Sequence, residues 1–276
     1  MAGVVLTIGG SDSGGGAGIQ ADIKTFSALG LHGTSAITAI TAQNTLGVQR
    51  VFGLGPEVVY AQLRSITDDF SIATAKTGML HSADIVAVVS RHLQETGIPL
   101  VLDPVIEAEA GGRLLRPDAV QAVKEQLMPL ARVVTPNIFE AEALTEIPVR
   151  DIAGMKQAAY KIMEMGPGAV IIKGGHLDCT DLLMEGEDVS YLPGDRVAGG
   201  NHGVGCTFSA ALTSYLALGN SLKDSAKKAK DFAREALRGS MNVGHGVGPV
   251  NQTSLLREEA KRLRALCDKQ RRLTSH

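Results

Sequence analysis

Short strand-like runs alternate with longer helical patterns along nearly the whole chain, and this constrains the fold more than any other feature. The strand candidates are Val4–Ile8, Ser35–Thr41, Ile72–Thr77, Leu100–Asp103, Val133–Thr135 and Val170–Lys173. They read as continuous apolar runs, without a polar residue at every second position. Strands have this character when a parallel sheet is covered on both faces. Between and after them, helical patterns cover 17–29, 56–69, 83–96, 117–130, 137–144, 152–165, 206–218 and 222–243. Short loops join the two kinds of segment, which predicts a doubly wound α/β sheet. The runs 181–184 and 189–192, separated by Glu185-Gly186-Glu187-Asp188, predict a small β hairpin. No Pro/Ser-rich linker precedes residue 250 and no repeat is visible. The expectation is one domain over 1–252, followed by a basic helical tail or linker over 253–276.

Composition narrows the function classes. The chain has 276 residues, 44% of them hydrophobic, enough for one large core. A net charge of −2 gives no electrostatic footprint for nucleic acid. The absence of tryptophan removes the usual base-stacking platform. The three cysteines, Cys179, Cys206 and Cys267, are far apart and form no C-x-x-C pair, against a zinc site or a disulfide framework. Free thiols fit a reducing, cytoplasmic compartment. The opening MAGVVLTIGG reads as a first strand and not as a signal peptide. No apolar run approaches the roughly 18 residues of a membrane span.

In open α/β sheets the ligand sits outside the carboxyl ends of the strands, and five segments there carry chemistry. The first is 9-GGSDSGGGAGIQAD-22, whose glycines allow close backbone approach to a ligand and whose helix brings Gln20 and Asp22. The dinucleotide fingerprint fails in it, because Ile19 stands where the third glycine is needed. The second is 101-VLDPV-105, where Asp103 either reaches a metal or caps a turn before Pro104. In 134-VTPNIFEAEAL-144, Asn137 is a predicted N-cap. Glu140 at the third helical position either closes a capping box or holds magnesium waters. In 170-VIIKGGH-176, Lys173 ends a strand and can point its ammonium at a phosphate.

The fifth segment, 200-GNHGVGCTFSAAL-212, matches a phosphate loop at Gly200, Gly205 and Thr207 but has Cys206 in place of the lysine. A helix beginning there presents the N–H groups of Gly203, Val204, Gly205 and Cys206 to an anion. The same helix start lowers a thiol below its ordinary pKa. Cys206 is then a base, a nucleophile or a small buried residue.

Together with TAQNT, KTGML, KGGHL and GHGVGPVN, these motifs stand in order over residues 3–251. In this combination the chain resembles the hydroxymethylpyrimidine/phosphomethylpyrimidine kinases of the ribokinase superfamily. The resemblance implies a ribokinase-like three-layer αβα sandwich with a mostly parallel sheet, no separate lid domain, and usually a homodimer. It implies ATP and Mg²⁺ as cofactors. The implied reaction is phosphorylation of 4-amino-5-hydroxymethyl-2-methylpyrimidine and then of its monophosphate. By similarity, Gln43 bonds the aminopyrimidine edge, Met79 and Val105 pack on the ring, and Gly10 and Asp22 border the substrate. Asp103 and Glu140 serve the metal, while Lys173, Asn137 and Thr207 serve the ATP phosphates. Gly203–Cys206 forms the anion hole, with Cys206 where most of the superfamily has an aspartate base. The chain departs from the family at 106-IEAEAGGRLL-115, and at Asn201 and Val204, where threonines are commoner. Pyridoxal or pyridoxine kinase is the nearest alternative, a ribokinase-type sugar kinase a remoter one, and a non-catalytic ligand-binding regulator the alternative of another class.

Overall fold

The structure, a computed structural model, describes residues 3–106, 115–175, 177–254 and 256. The strands are β1 (Val4–Asp12), β2 (His32–Asn44), β3 (Gly47–Gly53), β4 (Ile72–Thr77), β5 (Leu100–Leu102), β6 (Ala131–Val134), β7 (Ala169–Ile172), β8 (Asp181–Glu185) and β9 (Asp188–Leu192). All lie in one sheet, in the order β3-β2-β1-β4-β5-β6-β7-β8-β9. The block from β2 to β7 is parallel. The outer strands β3, β8 and β9 run antiparallel to their neighbours. The helices are α1 (Gly18–Ala28), α2 (Pro56–Thr67), α3 (Ala83–Thr96), α4 (Pro117–Ala122), α5 (Ile138–Thr145), α6 (Ile152–Met163), α7 (Val204–Ala217) and α8 (Leu222–Arg238).

The continuous apolar strands follow from burial on both faces. Successive strand residues point to opposite sides. Leu100, Leu102, Val170 and Ile172 join the core beneath α2–α6. Their neighbours Val101, Ala169 and Ile171 pack against α7 and α8 on the other face. The result is three layers: helices, sheet, helices. Helix α8 shows how the outer layers are made. Leu222, Ala226, Ala229, Phe232, Ala233 and Ala236 are buried, while most of its charged residues face out and Lys230 turns in to pair with Asp181. Ser221 caps its start by accepting the N–H of Asp224 at 3.1 Å.

Several boundaries differ from the expectation. Strand β1 does not stop at Ile8: Gly10, Ser11 and Asp12 pair with Ala39, Ile40 and Thr41 of β2. Strand β3 was not expected. It is an edge strand, its exposed Phe52 and charged Arg50 giving a weak apolar signal. The turn Asn44-Thr45-Leu46-Gly47 before it is the hairpin cue that reveals it. The helix expected over 117–130 divides into α4, a π turn at Val123–Leu127 and a 3₁₀ turn at Met128–Leu130. Pro129 has no N–H for the helical ladder, so the regular helix cannot run through it. Helix α8 ends at Arg238, short of Val243. The helical tail expected after residue 252 and the segment 107–114 lie outside the described residues, apart from 253, 254 and 256.

Leu6, on the interior strand β1, is fully buried in the larger core. Leu6→Ala is expected to cost about 2–5 kcal/mol of stability, measured by urea denaturation. A loss below about 1 kcal/mol would show that β1 does not anchor this core.

Candidate active site

The carboxyl ends of β1, β4, β5 and β7 open on one cavity, closed on its far side by the start of α7. Asp12, the last residue of β1, organises its rim. Its buried carboxylate accepts the N–H groups of Gly14 (2.8 Å), Gly16 (3.0 Å) and Ala17 (2.8 Å). It also lies 2.9 Å from His202 Nε2, in the loop before α7. Burial works against the ionised form, but His202 and the N–H groups of Ala17 and Gly14 outweigh it and hold Asp12 below the ordinary carboxylate range. The two glycine-bearing loops are thereby tied together. They also interlock: Gly203 has φ 86°, and a Cβ there would fall 1.9 Å from the Gly16 carbonyl oxygen. No side chain fits that position.

The start of α7 leaves donors for an anion. The first N–H groups of a helix have no intrahelical partner. That of Val204 is used by Asn201 O at 3.0 Å, and that of Thr207 bonds Gly203 O at 2.9 Å. Among the described residues the N–H groups of Gly203, Gly205 and Cys206 meet no protein acceptor, and these three residues line the cavity. Val204 and Thr207 do not. The Thr207 hydroxyl is fully buried and accepts Gln252 Nε2 at 3.1 Å, so it faces the C-terminal segment and not a phosphate. Val204 likewise cannot offer the free N–H expected of it.

Two ammonium groups stand below these donors. Lys173, just after β7, lies 3.1 Å from Asp103 Oδ1, and Asp103 Oδ2 accepts Ser209 Oγ at 2.8 Å. Burial tends to discharge Lys173, but Asp103 and Glu140 raise its pKa above the ordinary lysine value. The loop that follows it is fixed by Asp181, which accepts the Gly174 N–H at 2.9 Å and pairs with Lys230 at 3.0 Å. Lys76, on β4, is completely buried, with Nζ 2.7 Å from Asp22 Oδ1. Thr7 Oγ1 donates to the other Asp22 oxygen at 2.6 Å. Burial works to lower Lys76, yet Asp22 foremost, then Cys206 and Asp103, raise it. Asn137 and Glu140 both line the cavity and close a reciprocal capping box at α5, with bonds of 2.8 and 2.9 Å. Burial pushes Glu140 up to about 7, against the pull of Lys173.

Cys206 corrects the expectation most sharply. Part of the residue opens to the cavity, but protein surrounds the sulfur elsewhere. Burial pushes the thiol up to about 12, although Lys76 and the Gly18 N–H act to lower it. It rests as a thiol, not as the thiolate that its helix start alone predicts.

The cavity also has an apolar part. Met79 and Val105 line it, and a Cβ on Gly10 would stand only 3.0 Å from Met79 Sδ. Val105 has φ 40°, an unusual conformation for a β-branched residue and a mark of strain at this wall. Gln43 lines the mouth, its Oε1 accepting Thr41 Oγ1 at 3.1 Å. Asp12, Lys76, His202 and Ser209 were not singled out from the sequence. Lys76 had a signal: a charged residue inside an otherwise apolar strand has to be paired.

Two outcomes follow. A carboxylate held below its ordinary value stabilises the fold above that value, and the contribution disappears as pH falls through the folded-state pKa. Asp12→Asn is therefore expected to lower the melting temperature at pH 7 and to flatten the decline between pH 5 and 3. An unchanged acid slope would mean that Asp12 is not the ionised anchor. Gly203→Ala is expected to destabilise by more than about 1 kcal/mol in a denaturant titration. Wild-type stability would show that the loops do not interlock.

Comparison with known proteins gives the same picture over most of the chain. The phosphomethylpyrimidine kinase family model matches residues 12–251. The hydroxymethylpyrimidine/phosphomethylpyrimidine kinase of Haemophilus influenzae is 48% identical over 256 residues, covering 90% of this chain and 95% of that protein. The ADP complex of Bacillus subtilis pyridoxal kinase superposes with a TM-score of 0.86 at 38% identity, covering 92% of this chain and 99% of that one. Phosphomethylpyrimidine kinase from Clostridium difficile gives 0.77 at 40% identity, over 85% of this chain and 99% of that one. Among the described residues no helix is long and apolar enough to cross a membrane. The three-layer sheet, the cavity at its carboxyl edge and these matches together place the chain in the phosphomethylpyrimidine kinase family.

Proposed function

We propose that the chain transfers the γ-phosphoryl group of ATP to the hydroxymethyl oxygen of 4-amino-5-hydroxymethyl-2-methylpyrimidine, and a second one to the resulting monophosphate. The diphosphate so made serves thiamine diphosphate biosynthesis. One observation carries the reading: the start of α7 with the N–H groups of Gly203, Gly205 and Cys206, a lysine ammonium, a thiol and the apolar Met79 and Val105 all line one cavity. Phosphoryl transfer asks mainly for positioning and charge stabilisation. The N–H groups of Gly203, Gly205 and Cys206 receive the moving phosphoryl, and Lys173 supplies positive charge beside them. Gln43 offers a donor and an acceptor to the aminopyrimidine edge, while Met79 and Val105 hold the ring.

The residues present fit a magnesium ion. Mg²⁺ keeps most of its waters and needs only one or two carboxylates with substrate phosphates. Asp103 and Glu140 both line the cavity near Lys173. Their oxygens already accept Lys173, Ser209 and Asn137. An ionised carboxylate has about four acceptor sites, so Asp103, and Glu140 in its ionised form, retain capacity for the waters of a hydrated ion. Magnesium, when bound, offsets the charge on the phosphate oxygens. The protein works in the cytoplasm as a homodimer.

Pyridoxal kinase is the second reading, favoured by the 0.86 superposition on the Bacillus subtilis enzyme. The 48% identity to the Haemophilus influenzae pyrimidine kinase ranks it second. A purely ligand-binding role would not need Lys173 held charged beside Asp103. ADP release with Mg²⁺ and each alcohol gives the comparison. A larger kcat/KM for the pyrimidine is expected, faster turnover of pyridoxal would reverse the ranking, and no ADP release with either would favour the binding protein. Lys173→Met is expected to lower kcat/KM by about 10³-fold. Cys206→Ala should lower kcat by about 10²-fold with KM little changed. A Cys206→Ala enzyme as fast as wild type would remove the thiol from the chemistry.

A further inference from the structure

Gln43 can read the order of donor and acceptor on a ligand only if its own amide is kept from turning over. Amide oxygen and nitrogen have nearly the same shape, so their hydrogen-bond partners decide which lies where. The backbone at this point is fixed. A register shift between Ala42 and Gln43 interrupts the pairing of β2 with β3, and such a bulge re-aims a side chain. Ser13 Oγ accepts the Gln43 N–H at 2.8 Å and donates to the Gln43 carbonyl at 2.7 Å. The amide itself lies between Thr41 Oγ1, 3.1 Å from its oxygen, and His202 Nε2, 3.4 Å from its nitrogen. All three residues line the cavity.

The hydrogens available favour the opposite orientation of that amide. The ionised Asp12 can only accept, so His202 Nε2, 2.9 Å from its Oδ2, carries a proton and donates to it. That nitrogen has no lone pair left for a Gln43 N–H, and two donors face each other. The Thr41 hydroxyl has one hydrogen and lies 2.9 Å from Ser11 O, which can only accept. Its lone pairs then face Gln43, where a donor belongs. One half-turn of the amide removes both conflicts.

We propose that Thr41 and the Asp12–His202 pair are positioning residues that lock the Gln43 amide with Nε2 toward Thr41 and Oε1 toward His202, and that this lock sets the preference for a 4-aminopyrimidine. The proposal deepens the pyrimidine-kinase reading and rests on it. With one N–H and one lone pair so engaged, the amide keeps one of each for a ligand. A 4-aminopyrimidine offers the complement: its ring N3 accepts and its amino group donates. The 4-oxo counterpart, with N3–H and a carbonyl, offers the reverse order. A locked amide pairs with the first and meets the second donor to donor and acceptor to acceptor. A free amide turns over and takes either.

The test is calorimetric binding of 4-amino-5-hydroxymethyl-2-methylpyrimidine and of its 4-oxo counterpart to the full-length protein, without ATP. The parent is expected to prefer the amino compound by about 10²-fold or more. His202→Phe keeps a ring but cannot donate, and Thr41→Val keeps the shape but loses the hydroxyl. In each the preference is expected to fall at least about tenfold, because the released amide accepts the oxo compound. His202→Gln keeps a donor toward Asp12 and is expected to retain the preference. A role in folding alone weakens both ligands alike and leaves their ratio unchanged. The two variants act from opposite ends of the amide, so either one decides should the other not fold. An unchanged ratio in His202→Phe or Thr41→Val, or a parent without preference, would overturn the proposal and leave the kinase reading intact. A parent that does not bind the amino compound would remove that reading, and the proposal with it.

Discussion

A charge taken out of water has to be met by another, and at the carboxyl edge of this sheet that requirement is met twice. Lys76 is paired with Asp22 and Lys173 with Asp103. In each pair the two groups come from different elements: Asp22–Lys76 joins α1 to the sheet, and Asp103–Lys173 ties together the ends of β5 and β7. Removing one member of a buried pair costs about 3–5 kcal/mol, whereas replacing both by apolar groups is often neutral. Stability therefore does not account for two ammonium groups here. Their retention fits a site that has to receive phosphate, where fixed cations and aimed N–H groups do the work that water does in solution.

The thiol shows how two local effects compete. A helix start favours an anion by about 0.3–1 kcal/mol, less than one pKa unit. Desolvation can shift a fully buried group by up to about 3–5 units in the other direction. Burial wins at Cys206, whose thiol stands at about 12. The resting sulfur is neutral, so under the proposed function a highly charged nucleotide meets no like charge there.

Much of the architecture was legible in the residues. Two-sided burial announced itself in runs such as 100-LVL-102 and 169-AVII-172, and the hairpin at 181–192 in its polar turn. The Asn137–Glu140 spacing told of a capping box that is present. Gly10, Asp22, Gln43, Met79, Val105, Asp103, Asn137, Glu140, Lys173, Gly203, Gly205 and Cys206, expected as separate loop residues, line one cavity. What could not be read was pairing at long range. Asp12 meets His202 across 190 residues and Asp22 meets Lys76 across 54. No local pattern encodes such partners. Strand β3 escaped because its stability comes from β2 beside it and not from its own apolar content. Val204 and Thr207 were misplaced for a related reason: a motif match gives the order of the groups but not that a turn already uses the Val204 N–H or that a buried glutamine already bonds the Thr207 hydroxyl.

The central claim is two successive phosphoryl transfers to one pyrimidine alcohol at a single cavity. Phosphorus NMR of the protein with ATP, Mg²⁺ and 4-amino-5-hydroxymethyl-2-methylpyrimidine follows both. The account requires a phosphate monoester signal to rise first and the diphosphate pair of signals to grow at its expense. ATP left intact, or ADP formed with inorganic phosphate alone, would contradict it.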